Sequence, residues 1–346
     1  MEQAEKILDM FLNNDNTVSR ISSDEARDLV QMSIHYLNDY ESTDDVKKKC
    51  FKVLCNVIIY STIPTEEKWV IYWTITYACF TNTFYDEYND YVISAYKTLF
   101  YEVKDKMPKD VLYPKLKNNE DGPIVITTSQ FLSEAHAPTR RVLDYANTIT
   151  NCFGKKVVII NEAGMHLKEY DYMNEAPQFS YIEDLSDVYE LEYKGNIFVF
   201  YQSSYKMLDF QEIANIIYNI RNLNPSLVLN VGENSITSDL CTSFVKTATI
   251  PCGTNIPISM AENLIMCRNV REDDWDRIDK IEQWQNVISS VFNYIMPDET
   301  CMKHYTRADF GIDEDSWVIA SAGNRMDVEL TEEFLITVDK ILDSID

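Results

Sequence analysis

Basic residues are scarce in this chain. Its 31 lysines and arginines face 56 aspartates and glutamates, giving a formal net charge of −25 over 346 residues. A duplex or an anionic bilayer is repelled at long range by such a surface, so nucleic acid is not expected as a partner. That leaves room for a local basic pocket holding a phosphorylated small molecule. Long apolar runs are also missing: none approaches the ~18 residues of a membrane span. The opening stretch MEQAEKILDMFLNN is acidic and amphipathic. It lacks the basic segment and small-residue cleavage site of a secretory signal, so a cytoplasmic location is expected. Metal ligands are few, with His35, His136, His166 and His304 as the only histidines and no Cys-x-x-Cys among eight cysteines. A zinc site has little to draw on, and no metal is expected. Finally, no glycine occurs between Gly122 and Gly154, which excludes the glycine-rich dinucleotide fingerprint. The stretch FGKKVV precedes a strand instead of following one, so it is no phosphate-cradling P-loop.

What is present begins with helices. Residues 1–115 read as an all-α domain in which SSDEARDLVQMSIHYL offers Ser22 and Glu25 as a capping box. Ala26, Leu29, Val30, Ile34 and Leu37 then fall on one helical face. In PTEEKWVIYWTITYACF, Trp69, Tyr72, Trp73, Tyr77 and Phe80 form an aromatic stripe, which reads as core, and Cys50, Cys55 and Cys79 read as small core residues. Hydrophobic residues make up 45% of the chain, enough for ordinary cores.

The pattern changes after the proline-bearing linker MPKDVLYPKLKNNEDGP. Residues 121–295 read as an α/β, Rossmann-like domain. A strand at Pro123–Thr128, a helix from Pro138 and a strand KKVVIIN make a β-α-β unit. Tyr189–Tyr193, a turn at 194–196 and Ile197–Tyr201 read as a hairpin. Residues 162–195 hold nine acidic side chains against two lysines and read as a solvated insertion. EDDWDRIDKIEQWQNVISSVFNYI is expected to be the closing helix. Residues 296–346 read as a linker followed by a strand from Trp317 and an amphipathic helix through Phe334, Leu335, Val338, Ile341, Leu342 and Ile345. One strand and one helix cannot bury their own apolar surface, so they are expected to open a second α/β domain.

In open α/β sheets ligands sit beyond the carboxyl ends of the strands. This places Ser129 and Gln130 with His136, then Glu233, Asn234 and Ser235, then Thr254, on one rim. His136 either meets an acceptor hydroxyl or phosphate, or caps the helix after it. Glu233 either accepts a hydrogen bond from a substrate hydroxyl or caps the next helix through its dipole. Asn234 and Ser235 have the residue types of caps.

Three stretches resemble the GT-B glycosyltransferases, especially the retaining family-4 type: ITTSQFLSEAHAPTRR, LVLNVGENSITSDLCTSFVKTATIPCGTNIPIS and YTRADFGIDEDSWVIASAGNR. Such enzymes have two Rossmann-like lobes, the first holding the acceptor and the second a nucleotide-sugar. The resemblance implies transfer of a sugar from a nucleotide-sugar to a hydroxyl, without metal or further cofactor, on a sugar, lipid or protein acceptor. It assigns catalytic roles to His136 and Glu233, and acceptor-side positions to Ser129, Gln130, Asn234, Ser235 and Thr254. Gly323 and Arg325 match the turn that meets the donor diphosphate, although Glu329 stands where the family has a lysine. A donor lobe on the order of 150 residues is expected to follow Asp346, leaving this stretch inactive alone. Two other readings stand beside the transferase. One is a non-catalytic scaffold docking a protein partner through the helical domain; the other is a nucleotide-sugar epimerase of the same architecture.

Overall fold

The computed structural model describes residues 2–12, 18–39, 41–81, 89–164, 182–186, 188–203, 209–290, 305–318 and 332–344. Residues 1–292 form one compact unit and 293–346 another.

The first unit opens with helices α1 (Glu2–Leu12), α2 (Ser23–Asn38), α3 (Asp44–Tyr60), α4 (Thr65–Thr81), α5 (Asn89–Lys106) and the single turn α6 (Lys109–Leu112). The start of α2 is fixed by the expected capping box: the Glu25 N–H donates to Ser22 Oγ at 3.3 Å, and the Ser22 N–H donates to Glu25 Oε2 at 2.8 Å. Thr43 caps α3 by accepting the Val46 N–H. α3 is the hub of this layer, packing on α1, α2, α4 and α5. Phe51, Leu54, Cys55, Val57 and Ile58 on it are fully buried. Each large apolar side chain enclosed this way stabilises the layer by about 1.5–3 kcal/mol before entropy is counted. Trp69, Tyr72 and Trp73 of α4 are buried as the stripe predicts, whereas Tyr77 is exposed. Phe80 lies outside the described side chains.

The α/β part follows: β1 (Ile124–Thr128), α7 (Ala137–Phe153), β2 (Val157–Asn161), β3 (Glu190–Tyr193), β4 (Asn196–Gln202), α8 (Phe210–Leu223), β5 (Leu227–Val231), α9 (Ile236–Leu240), β6 (Thr247–Ile250), β7 (Asn263–Met266), α10 (Trp275–Ile278) and β8 (Asn286–Ser289). These strands make one sheet in the order β3-β4-β2-β1-β5-β6-β7-β8, parallel except for β3. β3 and β4 form the expected hairpin. Lys194 and Gly195 supply its two-residue turn at φ 49° and 80°, the backbone twist that right-handed strands favour. Counted along the parallel strands the order is 3-2-1-4-5-6-7, the doubly wound arrangement whose direction reverses between β1 and β5.

Alternation along the strands sorts the core. Val125, Ile160 and Val228 point to one face, where α8, α9 and the helical layer share a single apolar cluster with them. Ile126, Ile159 and Leu229 point to the other face and pack with Val142, Leu143 and Ala146 of α7 and with Phe198 and Phe200. The helical layer and the sheet are therefore joined by one continuous core.

Two expectations need correction. The closing helix expected over residues 272–295 is not formed in its described part, 272–290. A 3-10 turn at Glu272–Asp274 and the four-residue α10 give way to β8, which lies parallel beside β7. The i, i+3 spacing of Trp275, Ile278 and Ile281 suggests a long helix, but the open edge of β7 wins. The Asn286 N–H donates to Glu262 O and the Ser290 N–H to Met266 O, both at 2.8 Å. Gln285 anchors the strand start through Nε2 to the carbonyls of Ser259 and Ala261. The second correction concerns the acidic insertion, whose first member, Glu162, is partly buried, as described below.

In the second unit Thr306 and Asp309 cap a short turn at Arg307–Phe310, and α11 (Glu332–Asp343) is amphipathic. Trp317 and Val318 are exposed and belong to no strand. The rest of the strand expected there, with Gly323 and Arg325, lies outside the described residues.

Candidate functional site

The reversal between β1 and β5 sends the chain to α7 on one face and to α9 on the other. Their loops diverge there and leave the carboxyl ends of the strands open to a ligand. The β5 loop is built on unusual backbone. Gly232 has φ +123° and Asn234 φ +63°, and the Gly232 N–H donates to Ile250 O at 2.8 Å.

Sequence-predicted residues occupy this rim in separate roles. His136 is half-buried at the start of α7, with its Nδ1 2.8 Å from Thr139 Oγ1. Burial lowers its pKa, which favours the neutral ring. Ser129 packs near Gly164, and the Gln130 N–H donates to Thr128 Oγ1 at 3.4 Å. Glu233 accepts the Ile258 N–H at 3.0 Å, and burial raises its pKa against that bond and the charge of Arg277. Asn234 accepts the Tyr72 hydroxyl at 2.6 Å, and Ser235 caps α9 by accepting the Ser238 N–H at 3.0 Å. Thr254 is exposed in the loop after β6. Among the described residues no hydrogen bond joins His136 to Glu233.

A concavity opens nearby at the carboxyl ends of β2 and β4. Its lining combines Trp69 of α4, Glu162 and Gly164 after β2, Ser203 after β4, Asp209 and Glu212 at the start of α8, and Thr237 of α9. Local bonds hold each wall. Trp69 Nε1–H donates to the Gly164 carbonyl at 3.1 Å, and its ring stacks on Tyr72 with centroids 5.9 Å apart. Asp209 caps α8 by accepting the Glu212 N–H at 2.8 Å, while the Tyr201 hydroxyl donates to Glu212. Ser235 Oγ–H donates to Glu162 Oε1 at 2.6 Å.

Burial dominates the chemistry of Glu162. It pushes the carboxyl up to about 8, against the lowering effect of its bonds to Ser235 and Thr237. At neutral pH the group is mostly protonated and can donate as well as accept a hydrogen bond. The cleft thus offers an aromatic wall, a neutral carboxyl, two further acidic side chains and two hydroxyls. An anion is disfavoured there; a neutral polyhydroxylated ligand or a cation is suited.

Sequence reasoning missed this group for two reasons. Trp69 lies in a stripe that reads as core, and at 3% exposure it is core by area while still lining the cleft. Glu162 opens an acidic run whose composition points to solvent. Its position directly after a buried strand was the signal that ranks above composition. Among the described residues no group of histidines, cysteines and carboxylates is placed to hold a metal, and no helix is long and apolar enough to cross a membrane. No family model, curated protein or solved structure matches the chain.

Proposed function

We propose that this chain carries the acceptor-binding lobe of a glycosyltransferase that moves a sugar from a nucleotide-sugar to an acceptor hydroxyl. The observation that supports the reading best is the cleft of Trp69, Glu162, Ser203, Asp209, Glu212 and Thr237 at the carboxyl ends of a doubly wound sheet. Sugars present hydroxyl pairs to carboxyl and hydroxyl groups, and Glu162, Asp209, Glu212, Ser203 and Thr237 supply these within one concavity bordered by the nearly buried Trp69. Glu162, enclosed and mostly protonated, fixes the orientation of a hydroxyl through a directional bond that water does not screen. In this reading Glu233 on the β5 loop orients the reacting groups, and Arg325 neutralises the donor diphosphate. Trp69 belongs to the helical layer, which makes that layer a wall of the acceptor site and not a separate docking module.

The test is a fluorescence titration of the protein with a panel of mono- and disaccharides, beside an assay for nucleoside diphosphate release from nucleotide-sugars. One saccharide is expected to saturate the signal. Trp69→Phe should lose most of the response, and Glu162→Ala should weaken binding at least tenfold. Interconversion of nucleotide-sugars without release would favour the epimerase. Absence of both saccharide binding and nucleotide release would overturn the proposal.

A further inference from the structure

A second concavity, open to solvent, lies between α5, the 257–260 segment and the chain around α10. Its walls are largely apolar, with Ile93, Ile258, Met260 and Leu264 among them, yet three cations reach it: Lys97, Arg277 and Lys280. Acidic residues outnumber basic ones by 56 to 31 in this chain, so a cation has every chance of a carboxylate partner. Lys97 has one in Glu282 at 2.7 Å, and Lys280 has Asp90 at 2.6 Å. Arg277 has none within ion-pair distance among the described residues.

The other partly buried arginines of the described chain are all engaged. Arg27 grips Glu67 with two bonds of 2.9 and 2.8 Å, Arg268 grips Asp274 with 2.6 and 2.7 Å, Arg141 donates to Pro251 O, and Arg221 donates to Pro114 O. The carboxylates whose charge Arg277 feels are occupied as well. Asp274 is held by Arg268, Asp90 by Lys280, and Glu233 takes the Ile258 N–H. A half-buried guanidinium is left with no hydrogen-bond or ion-pair partner among the described residues, beside an apolar wall.

We propose that this concavity is a binding site for a small molecule that joins an apolar body to a single monoanionic oxyanion, a carboxylate or a phosphodiester. The planar fork of Arg277 receives two oxygens of the anion, Lys97 and Lys280 add attraction from the wall, and the apolar body lies on Ile93, Ile258, Met260 and Leu264. Desolvation lowers the Arg277 pKa, the response of a cation held away from water without a partner. The inference does not depend on the sugar-binding reading, since the two concavities share no lining residue.

Calorimetric titration of the whole chain at low ionic strength tests it, with sodium benzoate and dimethyl phosphate as the two oxyanion probes and benzyl alcohol as the neutral control. One oxyanion should bind with one-to-one stoichiometry and at least tenfold more tightly than benzyl alcohol. Whichever probe wins identifies the head group. Arg277→Gln should weaken that probe at least tenfold. Lys280→Glu alters a largely exposed side chain, so it spares the fold, and it should weaken the probe at least threefold. The proposal is overturned if neither oxyanion binds, if benzyl alcohol binds equally well, or if Lys280→Glu and a folded Arg277→Gln both leave the affinity unchanged. The saccharide titration of Arg277→Gln should match the parent protein, so failure here and failure of the sugar-binding reading are separable.

Discussion

The two faces of the sheet are covered in different chemical styles. α7 closes one face with an apolar centre, Val142, Leu143 and Ala146 over Ile126, Ile159 and Leu229, and its polar bonds sit at the margins, from Asp144 and Asn147 to the β3-β4 hairpin and from Arg141 to the Pro251 carbonyl. The helical layer, with α8 and α9, covers the other through one apolar cluster shared with the sheet and adds directed bonds to the rim loops. Trp69 reaches the Gly164 carbonyl, Tyr72 reaches Asn234, and Tyr96 donates to Asp239 Oδ2 at 2.6 Å. Apolar burial supplies stability without direction, whereas a buried hydrogen bond is satisfied in one register only. The polar side is thus the one that fixes where the rim loops stand relative to α4 and α5. Those loops carry Glu162, Glu233 and Asn234, so the difference between faces bears directly on function.

Removing the centre of the polar side should have the largest effect. Asp239 is fully buried and accepts from Tyr96, from Ser259 Oγ and from the Met260 N–H. Asp239→Ala strands all these donors at once and should cost about 3–5 kcal/mol in denaturant unfolding. Leu143→Ala on the apolar side should cost about 2–4 kcal/mol through a cavity. The discriminating measurement is saccharide affinity in a background that stays folded: the Leu143 variant should keep it and the Asp239 variant should lose it. Equal affinity in both would erase the functional distinction between the faces.

Tyr96→Phe and Tyr72→Phe probe single bonds on the polar side and should each cost about 1–2 kcal/mol, because a buried acceptor is left short of a donor. A loss below ~0.5 kcal/mol in both would mean that apolar packing alone seats the helical layer.

How far these features were legible in the sequence follows the same division. Periodicity exposed the apolar sides well: the Ala26 to Leu37 face of α2, the β1-α7-β2 unit and the β3-β4 hairpin all form within a residue or two of expectation. Each of those signals is local, carried by residues three, four or two positions apart. The polar side pairs residues 95, 162 and 143 positions apart in the chain. No spacing rule connects Trp69 to Gly164, so the stripe reads only as core. β8 failed for the related reason that a four-residue edge strand is decided by its neighbour and not by its own pattern. Of the rim, the loops themselves were found correctly as places, while the partners that turn Glu162 into a buried acid were not.

Glu162 gives a pH-dependent way to sharpen the comparison. Its pKa is raised from the ordinary 4.5 to about 8 in the folded chain, so the fold binds its proton more tightly than the unfolded chain does. The resulting stability is present in full below about 4.5 and is lost as pH rises through about 8. Glu162→Gln removes this dependence. The parent should therefore lose thermal stability relative to the variant between pH 5 and pH 8.5, by about 2–4 kcal/mol in total. Charge repulsion in a chain of −25 also grows with pH, but it acts on both proteins alike and cancels in the difference. Parallel melting curves of the two would place Glu162 back among solvated carboxylates.

The smallest expected effect belongs to His136, which stands on the same rim but contributes to the lining of neither concavity. Its ring bonds Thr139 three residues on, and Thr139 also receives the Leu132 N–H at 2.9 Å, so the imidazole is one member of a local knot at the start of α7. His136→Ala leaves the Leu132 bond in place and takes away a single half-buried contact, which sets the cost at about 0.5–1 kcal/mol. Burial already favours the neutral ring, so the loss should not vary between pH 7 and pH 8. Saccharide affinity should hold within a factor of two, because the residues that contact the ligand in the proposed cleft come from α4, α8, α9 and the β2 and β4 ends. A fall of tenfold would extend the sugar site across the sheet to the β1 loop, and the functional boundary would then run along the whole rim instead of following the polar face.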